Sequence, residues 1–307
     1  MALYDVPAPA KINLFLHVTG RRPDGYHLLE TVFRFIGLYD TLSFDLRADG
    51  GIGREGDTLP GLSEDDDLVM RAARALRQAT GTKQGAQIRY TKQIPSGAGL
   101  GGGSSDAATT LIALNRLWNT GLDRQALMRL ALPLGADVPV FIYGQPAFAR
   151  GIGEIFEPVS LPERAYVVAQ PPQGIPTASI FSSPHLTRNS DSITIAVFTE
   201  WQTKNASESS NSGGAFFGRN DLEPVVFAQY PAVLAASRWL EQQGASARMS
   251  GSGSCLFAEF VTQNQAEMFR DKILGKISRE NGGAEIIQNA WACPGLMDHP
   301  LRSWTRN

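Results

Sequence analysis

Apolar and polar positions recur with two different periods along the chain, which predicts both strands and helices. Residues 11–18 alternate with period two, and strand-like apolar runs recur at 33–46, 87–94 and 165–169. Apolar residues at helical spacing predict helices over about 68–76, 104–118 and 123–134, and a further helical stretch is expected to end near residue 243. Strands and helices are therefore expected in both halves of the chain.

The strand at 11–18 has two distinct faces. Ile12, Leu14, Leu16 and Val18 form one of them, and Lys11, Asn13, Phe15 and His17 form the other. Lys11 and Asn13 could point together at one ligand, or their face could simply meet solvent. The strand alone leaves both interpretations open.

A glycine-rich stretch at 95–108, with the sequence PSGAGLGGGSSDAA, follows the strand at 87–94. Glycine permits positive φ and a close approach of the backbone to a ligand. The Ser-Ser-Asp segment is predicted to cap the helix that follows. Such a loop directs free backbone N–H groups and the helix dipole at one point, which suits a polyphosphate. A flexible linker is the alternative, but a strand and a capped amphipathic helix frame this stretch.

Known phosphate loops differ in their spacing. A P-loop of the Walker type requires Lys-Ser or Lys-Thr after the glycines, and neither is present. Gly97, Gly99 and Gly102 match the G-x-G-x-x-G fingerprint of dinucleotide-binding folds. That fold also needs a following strand that ends in an acidic residue, whereas Asp123 begins another predicted helix.

Asp137 lies between Gly135 and Pro139, after a predicted helix and ahead of an apolar run interpreted as a strand. An anion at a helix C-terminus opposes the helix dipole, so this placement suggests a chemical role. A turn-forming aspartate that bonds to its own backbone is the alternative.

Size and composition limit the classes of protein. A chain of 307 residues is expected to form two domains, divided near Gly151-Ile152-Gly153 into 1–152 and 153–307. The net charge of −2 without a basic tract argues against a nucleic-acid surface. Cys255 and Cys293 follow no metal or disulfide spacing, and no apolar run could span a membrane, so a cytoplasmic protein is expected. The polar stretch at 200–214 is predicted to be a mobile loop.

The glycine-rich stretch resembles the phosphate loop of the GHMP kinases, which include galactokinase and the homoserine, mevalonate and phosphomevalonate kinases. Further segments match one branch of this family in order: APAKINL from residue 8, RPDGYH from 22, GADVP from 135, IPT from 175, NDLEP from 220 and MSGSG from 249. The resemblance implies an α+β fold of two domains, an S5-like (ribosomal protein) N-terminal nucleotide domain and a ferredoxin-like C-terminal α/β sandwich. The sequence departs from the family's pattern at Asp67, at residues 200–214 and in the C-terminal tail.

The resemblance also implies an activity. The matching branch transfers phosphate from ATP, accompanied by Mg²⁺, to the 2-hydroxyl of a cytidine diphosphate-linked methylerythritol, in the synthesis of isoprenoid precursors. Asp137 and Lys11 match its catalytic positions. The positions implied for ATP are Pro95, Gly97, Ala98, Gly99, Leu100, Gly101, Gly102, Gly103, Ser104, Ser105 and Lys92, with Ser104 or Ser105 a possible metal contact. Those implied for the acceptor are Asn13, Tyr26, His27, Asp137, Thr177 and Phe181.

Two other classes compete with this interpretation. A GHMP kinase could instead act on mevalonate, homoserine or a sugar, and dependence of binding on cytidine would separate these. A non-catalytic nucleotide-binding module or a dinucleotide-dependent dehydrogenase is the other class. The missing acidic strand end argues against the dehydrogenase, and the contexts of Lys11 and Asp137 argue against an inert binder. A monomer or weak homodimer is expected.

Overall fold

The structure is a computed structural model that describes residues 1–55, 62–205, 216–278 and 283–306. The strands are β1 (Ala2–Arg21), β2 (His27–Arg47), β3 (Ile52–Glu55), β4 (Gly85–Thr91), β5 (Ala147–Arg150), β6 (Ile155–Pro158), β7 (Ala165–Gln170), β8 (Arg248–Met249), β9 (Leu256–Phe260) and β10 (Asn289–Pro294). The helices are α1 (Leu68–Thr80), α2 (Gly102–Leu117), α3 (Arg124–Ala131), α4 (Val138–Tyr143), α5 (Thr177–Ser182), α6 (Ile195–Asn205), α7 (Glu223–Gln229), α8 (Pro231–Gln242), α9 (Gln263–Ile277) and α10 (Gly283–Ile286).

The strands form two sheets. The first has the order β3-β4-β2-β5-β6, with β1 paired to the long β2; β3 and β4 run parallel, and its other described pairs are antiparallel. The second is antiparallel in the order β10-β7-β9-β8. Antiparallel sheets with helices packed against them confirm the expected α+β class.

Each sheet has its own hydrophobic core. One core lies between the first sheet and helices α1 to α4, and another joins the second sheet to helices α7 to α9. A further cluster contains Ile12 and Ile36 of the first sheet together with Val168 and Phe257 of the second. The two sheets therefore pack directly against each other. The division at residues 1–152 and 153–307 stays a prediction, although β6 still belongs to the first sheet.

Strand β2 is continuous through Gly37 and Tyr39. The register of its pairing with β1 shifts there, because Pro9 faces Tyr39 whereas Ala10 faces Ile36. Such a bulge bends a strand without ending it. Both faces of β1 are buried around its centre, with Lys11 and Asn13 each 2 % exposed. The interpretation of that face as solvent-exposed is wrong, because Gly101 and Gly251 lie beside Lys11 and Phe217 packs on Phe15.

Aspartates cap two of the helices, whereas the predicted cap by Ser-Ser-Asp is wrong. Asp67 caps α1 by accepting a hydrogen bond from the Val69 N–H at 2.8 Å, and Asp123 caps α3 in the same way. Helix α2, however, begins at Gly102, before the serines, and its N-cap is Gly101 in the left-handed conformation. Ser104 and Ser105 therefore lie inside the helix, near its start. The helix begins after Gly101 without a hydrogen bond from a capping side chain.

Residues 200–205 end helix α6 and are not a loop, so that part of the mobile-loop prediction is wrong. An i,i+4 ion pair between Glu200 and Lys204, at 2.6 Å, supports the helix at this point. The remainder of the predicted loop, residues 206–214, lies outside the described residues.

Candidate active site

A cleft of about 840 Å³ is lined by the glycine loop, by the centre of β1 and by the turn before β2. Its other walls come from the start of α4 and from α5. Among the described residues it gathers every side chain or backbone position predicted for the site except Leu100 and Ser105. The cleft therefore joins segments that are distant in the sequence.

Hydrogen bonds to its carbonyl groups hold the glycine loop against the second half of the chain. The Cys255 N–H donates to the Ala98 carbonyl at 3.1 Å, and the Ser250 hydroxyl donates to the Gly99 carbonyl at 2.9 Å. A Cβ at Gly99, where φ is +75°, would lie 1.9 Å from the Ser250 carbonyl oxygen. The glycine loop and the loop that contains Ser250 therefore touch through their backbones, and only glycine fits at position 99.

The loop directs helix α2 at the cleft. Gly101, Gly102 and Gly103 line the cavity at the N-terminus of this helix, where backbone N–H groups lack partners within the helix. Ser104 also lines the cavity, whereas Ser105 is fully buried and its hydroxyl has no partner among the described residues. Leu100 lies in the core beneath the loop, and its carbonyl accepts the Lys11 N–H at 2.9 Å. This end of the cleft can bind an anion.

Lys11 and Asp137 meet in the cleft. The Lys11 Nζ lies 3.2 Å from the Asp137 Oδ2, with the lysine side chain 3 % exposed and the aspartate 38 %. Lys11 also donates to the Asn13 Oδ1 at 2.6 Å, and the Asn13 amide in turn donates to the Thr31 hydroxyl at 2.9 Å. The ammonium is therefore fixed by a buried network while the carboxylate stays open to a ligand.

Asp137 precedes helix α4, and the expected apolar strand after it is wrong. Pro139 stands in the first turn of this helix and Gly144 ends it in the left-handed conformation. The aspartate thus lies at a helix N-terminus, where the dipole favours an anion, and the argument from an opposing dipole fails. Its side chain makes no capping hydrogen bond, so the carboxylate is available.

Lys92 lies just after β4, between two buried carboxylates. Its ammonium bonds to Asp40 and lies 2.5 Å from the Asp106 Oδ2. Burial lowers the pKa of Lys92, but the two carboxylates more than offset this and the pKa lies above its usual range. Burial raises the pKa of Asp106 to about 7, against the opposing effect of the ammonium. Asp40 also accepts the Ile94 N–H at 2.9 Å, so this cluster fixes the start of the glycine loop.

Aromatic rings line the other end of the cleft. Tyr26 is 58 % exposed, and the rings of His27 and Phe181 lie 5.1 Å apart at an angle of 35°. Thr177, one turn before Phe181 on α5, shares a hydrogen bond of 2.7 Å with the Ser252 hydroxyl. Helix α5 thus presents Thr177 and Phe181 to the same cleft.

Several residues at the site were not predicted from the sequence. Thr31 orients Asn13, Asp40 and Asp106 hold Lys92, and Arg188 bonds to His27. Asp106 belongs to the glycine-rich stretch, where it was assigned only to a helix cap, whereas Thr31, Asp40 and Arg188 belong to no motif. Only the pairing of distant segments could have revealed them.

The described part of the chain contains neither a cluster of metal ligands nor a helix that could span a membrane. Across 1–55, 62–205, 216–278 and 283–306, no group of three His, Cys, Asp or Glu side chains could hold a metal ion. Nor is any helix within those ranges both long and apolar enough to cross a bilayer.

Comparisons with known proteins identify the family of the chain. Residues 67–145 match the family described as GHMP kinases N terminal domain, and residues 202–278 match GHMP kinases C terminal. The fold and the cleft thus define a small-molecule kinase of the GHMP class, a class that uses ATP.

A relative in Bordetella parapertussis, named 4-diphosphocytidyl-2-C-methyl-D-erythritol kinase, is 59 % identical and the match covers 99 % of both chains. A crystal structure of 4-(cytidine 5'-diphospho)-2C-methyl-D-erythritol kinase is 32 % identical with a TM-score of 0.76, covering 96 % of this chain and 99 % of that one. A homoserine kinase from Cytophaga hutchinsonii shares the fold, at 17 % identity and a TM-score of 0.65 over 97 % of this chain and 95 % of that one. The chain belongs to the 4-diphosphocytidyl-2-C-methyl-D-erythritol kinase family.

Proposed function

We propose that the chain transfers the γ-phosphoryl group of ATP to the 2-hydroxyl of 4-diphosphocytidyl-2-C-methyl-D-erythritol, in the non-mevalonate route to isoprenoid precursors. The observation that carries the proposal is the Lys11–Asp137 pair, which faces the cleft beside the N-terminus of α2. The names of the relatives support this acceptor.

Phosphoryl transfer passes through a loose transition state, so the protein mainly has to position the reactants and stabilise charge. Asp137 accepts the proton of the attacking hydroxyl as the new O–P bond forms and the bond between the γ-phosphorus and ADP breaks. Lys11 faces the oxygens of the phosphoryl group in transit. Asn13 holds that ammonium in place through the hydrogen bond of 2.6 Å between the two side chains.

The triphosphate binds along the glycine loop. The backbone N–H groups of Gly101, Gly102 and Gly103 stand at the start of α2, where the dipole adds positive potential. Leu100 and Ser105 act from beneath the loop, since neither lines the cleft. Lys92 lines the cleft at the base of the loop, where its two carboxylate partners neutralise it. Its role is therefore to shape the site more than to attract the nucleotide.

Mg²⁺ usually keeps several waters and binds through substrate phosphates with few protein ligands. The site fits this mode, because the hydroxyl of Ser104 and the carboxylate of Asp137 line the cleft and no three-ligand cluster exists among the described residues. Ser104 is the better of the two predicted serine contacts, since Ser105 is fully buried. When bound, the ion neutralises charge on the phosphates.

The cytidine end of the acceptor binds between aromatic rings. Tyr26 and Phe181 can stack on a pyrimidine, which contributes roughly 1–3 kcal/mol for each stacked base. His27 can bond to its polar edge, and Thr177 can contact the diphosphate or the erythritol. The position of all four residues on the walls of one cleft supports this assignment.

The acceptor is tested by release of ADP with a panel of alcohols. We expect turnover with 4-diphosphocytidyl-2-C-methyl-D-erythritol and background rates with mevalonate, homoserine and galactose. Phosphorus NMR of the product should show a phosphate on the 2-hydroxyl. Preferential turnover of another alcohol in the panel would replace the proposed acceptor and keep the kinase class.

The role of Asp137 is tested by Asp137→Asn. A general base contributes about 10²- to 10⁴-fold, so kcat should fall at least about a hundredfold while KM for ATP changes little. Asp65→Asn is the control, because this carboxylate is 90 % exposed and pairs with Arg74 at the surface. Near-native turnover of Asp137→Asn would remove this carboxylate from the mechanism.

A further inference from the structure

Arg188 connects the two walls of the aromatic end of the cleft. Its Nε donates to the His27 Nε2 at 3.0 Å, and its Nη2 donates to the Phe181 and Ser183 carbonyls at 3.1 and 2.7 Å. A fourth bond runs from Nη1 to the Leu186 carbonyl at 3.1 Å. The guanidinium therefore satisfies carbonyls at the C-terminal end of α5 while it holds the ring of His27.

This arrangement determines which nitrogen of His27 carries a proton. A guanidinium has donors and no acceptor, so the Nε2 that it contacts must present a lone pair. A neutral imidazole with a lone pair on Nε2 carries its hydrogen on Nδ1. The Nδ1 of His27 makes no hydrogen bond within the described part of the chain, and it is not among the buried atoms that lack a partner. The ring thus has one free N–H donor.

Burial and two neighbouring cations favour the neutral form of the His27 imidazole. Burial and then Arg188 lower its pKa, and Arg21, which pairs with His27 across the β1–β2 ladder, acts in the same direction. His27 is itself 8 % exposed and lines the cleft beside Tyr26 and Phe181. A neutral ring with its hydrogen fixed on Nδ1 can only donate to a ligand, and only to an acceptor atom.

We propose that Arg188 is a positioning residue for nucleobase recognition: it fixes the Nδ1–H tautomer of His27, so that the imidazole donates to an acceptor on the pyrimidine edge. Cytosine offers such acceptors at its ring nitrogen N3 and its carbonyl O2, whereas its amino group is a donor. The proposal rests on the proposed function, because it assumes that the cytidine end of the acceptor binds between Tyr26 and Phe181.

The direct test is the tautomer itself. In protein with ¹⁵N-labelled histidine, the nitrogen shifts of wild-type His27 at pH 8 should identify Nδ1 as protonated and Nε2 as the acceptor. In Arg188→Met, which removes every donor and keeps an apolar stem, the ring should shift towards the Nε2–H form. A protonated Nε2 in the wild-type protein would overturn the proposal, whatever the enzyme's activity.

The consequence for binding is tested by calorimetry with the cytidylyl substrate in the absence of ATP. At pH 8 Arg188→Met should bind about three- to tenfold more weakly, as expected for the loss of one hydrogen bond. Near pH 5.5 the difference should disappear, because the imidazolium of the variant donates from both nitrogens. Arg188→Lys keeps a donor for Nε2 and should recover much of the affinity at pH 8.

A purely structural role for Arg188, through the carbonyls of α5, predicts an equal deficit at both pH values and would overturn the proposal. ATP affinity and thermal unfolding of each variant report whether the remainder of the cleft is intact. Turnover by the wild-type enzyme tests the proposed function separately. An inactive wild type with the Nδ1–H tautomer would contradict the function and not the role of Arg188.

Discussion

Gly99→Ala is the substitution for which the structure predicts the largest effect on the glycine loop. The residue has φ of +75°, and an added Cβ would lie 1.9 Å from the Ser250 carbonyl oxygen. Left-handed backbone costs an L-residue about 1–2 kcal/mol, and forced overpacking costs about 1–3 kcal/mol. The free energy of unfolding should therefore fall by about 2–5 kcal/mol.

Substitutions at two other glycines serve as controls for the backbone strain and for the added methyl group. Gly81 ends α1 with φ of +68° and has nothing within 4 Å of an added Cβ, so Gly81→Ala should cost only the left-handed strain, about 1–2 kcal/mol. Gly103 is the second residue of α2, and the nearest neighbour of an added Cβ would be the Leu68 Cδ1 at 3.6 Å. Because alanine is the better helix former, Gly103→Ala should stabilise the protein by up to about 1 kcal/mol.

Urea unfolding of the three variants measures these differences, with the slope of the transition as a check on cooperativity. Gly99→Ala should also raise KM for ATP. The added methyl group displaces Ser250, and the Ser250 hydroxyl donates to the Gly99 carbonyl at 2.9 Å, so the glycine loop shifts with it. If Gly99→Ala were no less stable than Gly81→Ala, the contact with Ser250 would not constrain the loop. The reasoning about the close approach would then be refuted.

Three further predictions follow from the site and its surroundings. Tyr26→Ala should raise KM for the cytidylyl substrate by about 5- to 150-fold, equivalent to the loss of one stacked base, and leave KM for ATP unchanged; equal effects on both substrates would contradict the assignment. Lys92→Met leaves two buried carboxylates without a cation and should lower stability in urea by about 3–5 kcal/mol, whereas the exposed control Lys83→Met should change it little; similar costs for the two variants would refute the role of the cluster. Burial lowers the pKa of His299 to about 3, below that of the unfolded chain, so the folded state resists protonation. The neutral His299 imidazole therefore contributes its full stabilisation above about pH 6.5, and this contribution is lost as the pH falls towards 3, at about 1.4 kcal/mol per pH unit. His299→Asn keeps an acceptor for the Leu301 N–H and should lack this slope. Parallel curves of stability against pH for the two proteins would contradict the role of His299.

The glycine loop could be predicted from the sequence because its function depends on local conformation. Gly97, Gly99 and Gly101 all adopt positive φ, which is a property of glycine itself. The helix after the loop and the caps at Asp67 and Asp123 are also local, since a cap bonds to a backbone only two or three residues away. These features followed from short stretches of sequence.

Errors arose where a short apolar run was compatible with more than one structure. Residues 138–143 could form a strand or a helix by periodicity alone, and the tertiary contacts of α4 decided for the helix. That outcome reversed the electrostatic argument for Asp137, although its predicted place in the site was retained. The face of Lys11 and Asn13 was ambiguous for a similar reason, because burial depends on what packs over a strand.

By itself, the sequence determined a glycine-rich loop that leads into a helix, the class of fold and, through matching segments, the kinase family. Only the tertiary structure decided that Lys11 lies 3.2 Å from Asp137, that Asp40 and Asp106 enclose Lys92, and that Arg188 holds His27. The physical reason is the range of the interactions. Backbone conformation and capping depend on neighbours along the chain, whereas ion pairs and orienting hydrogen bonds depend on how distant strands and helices pack.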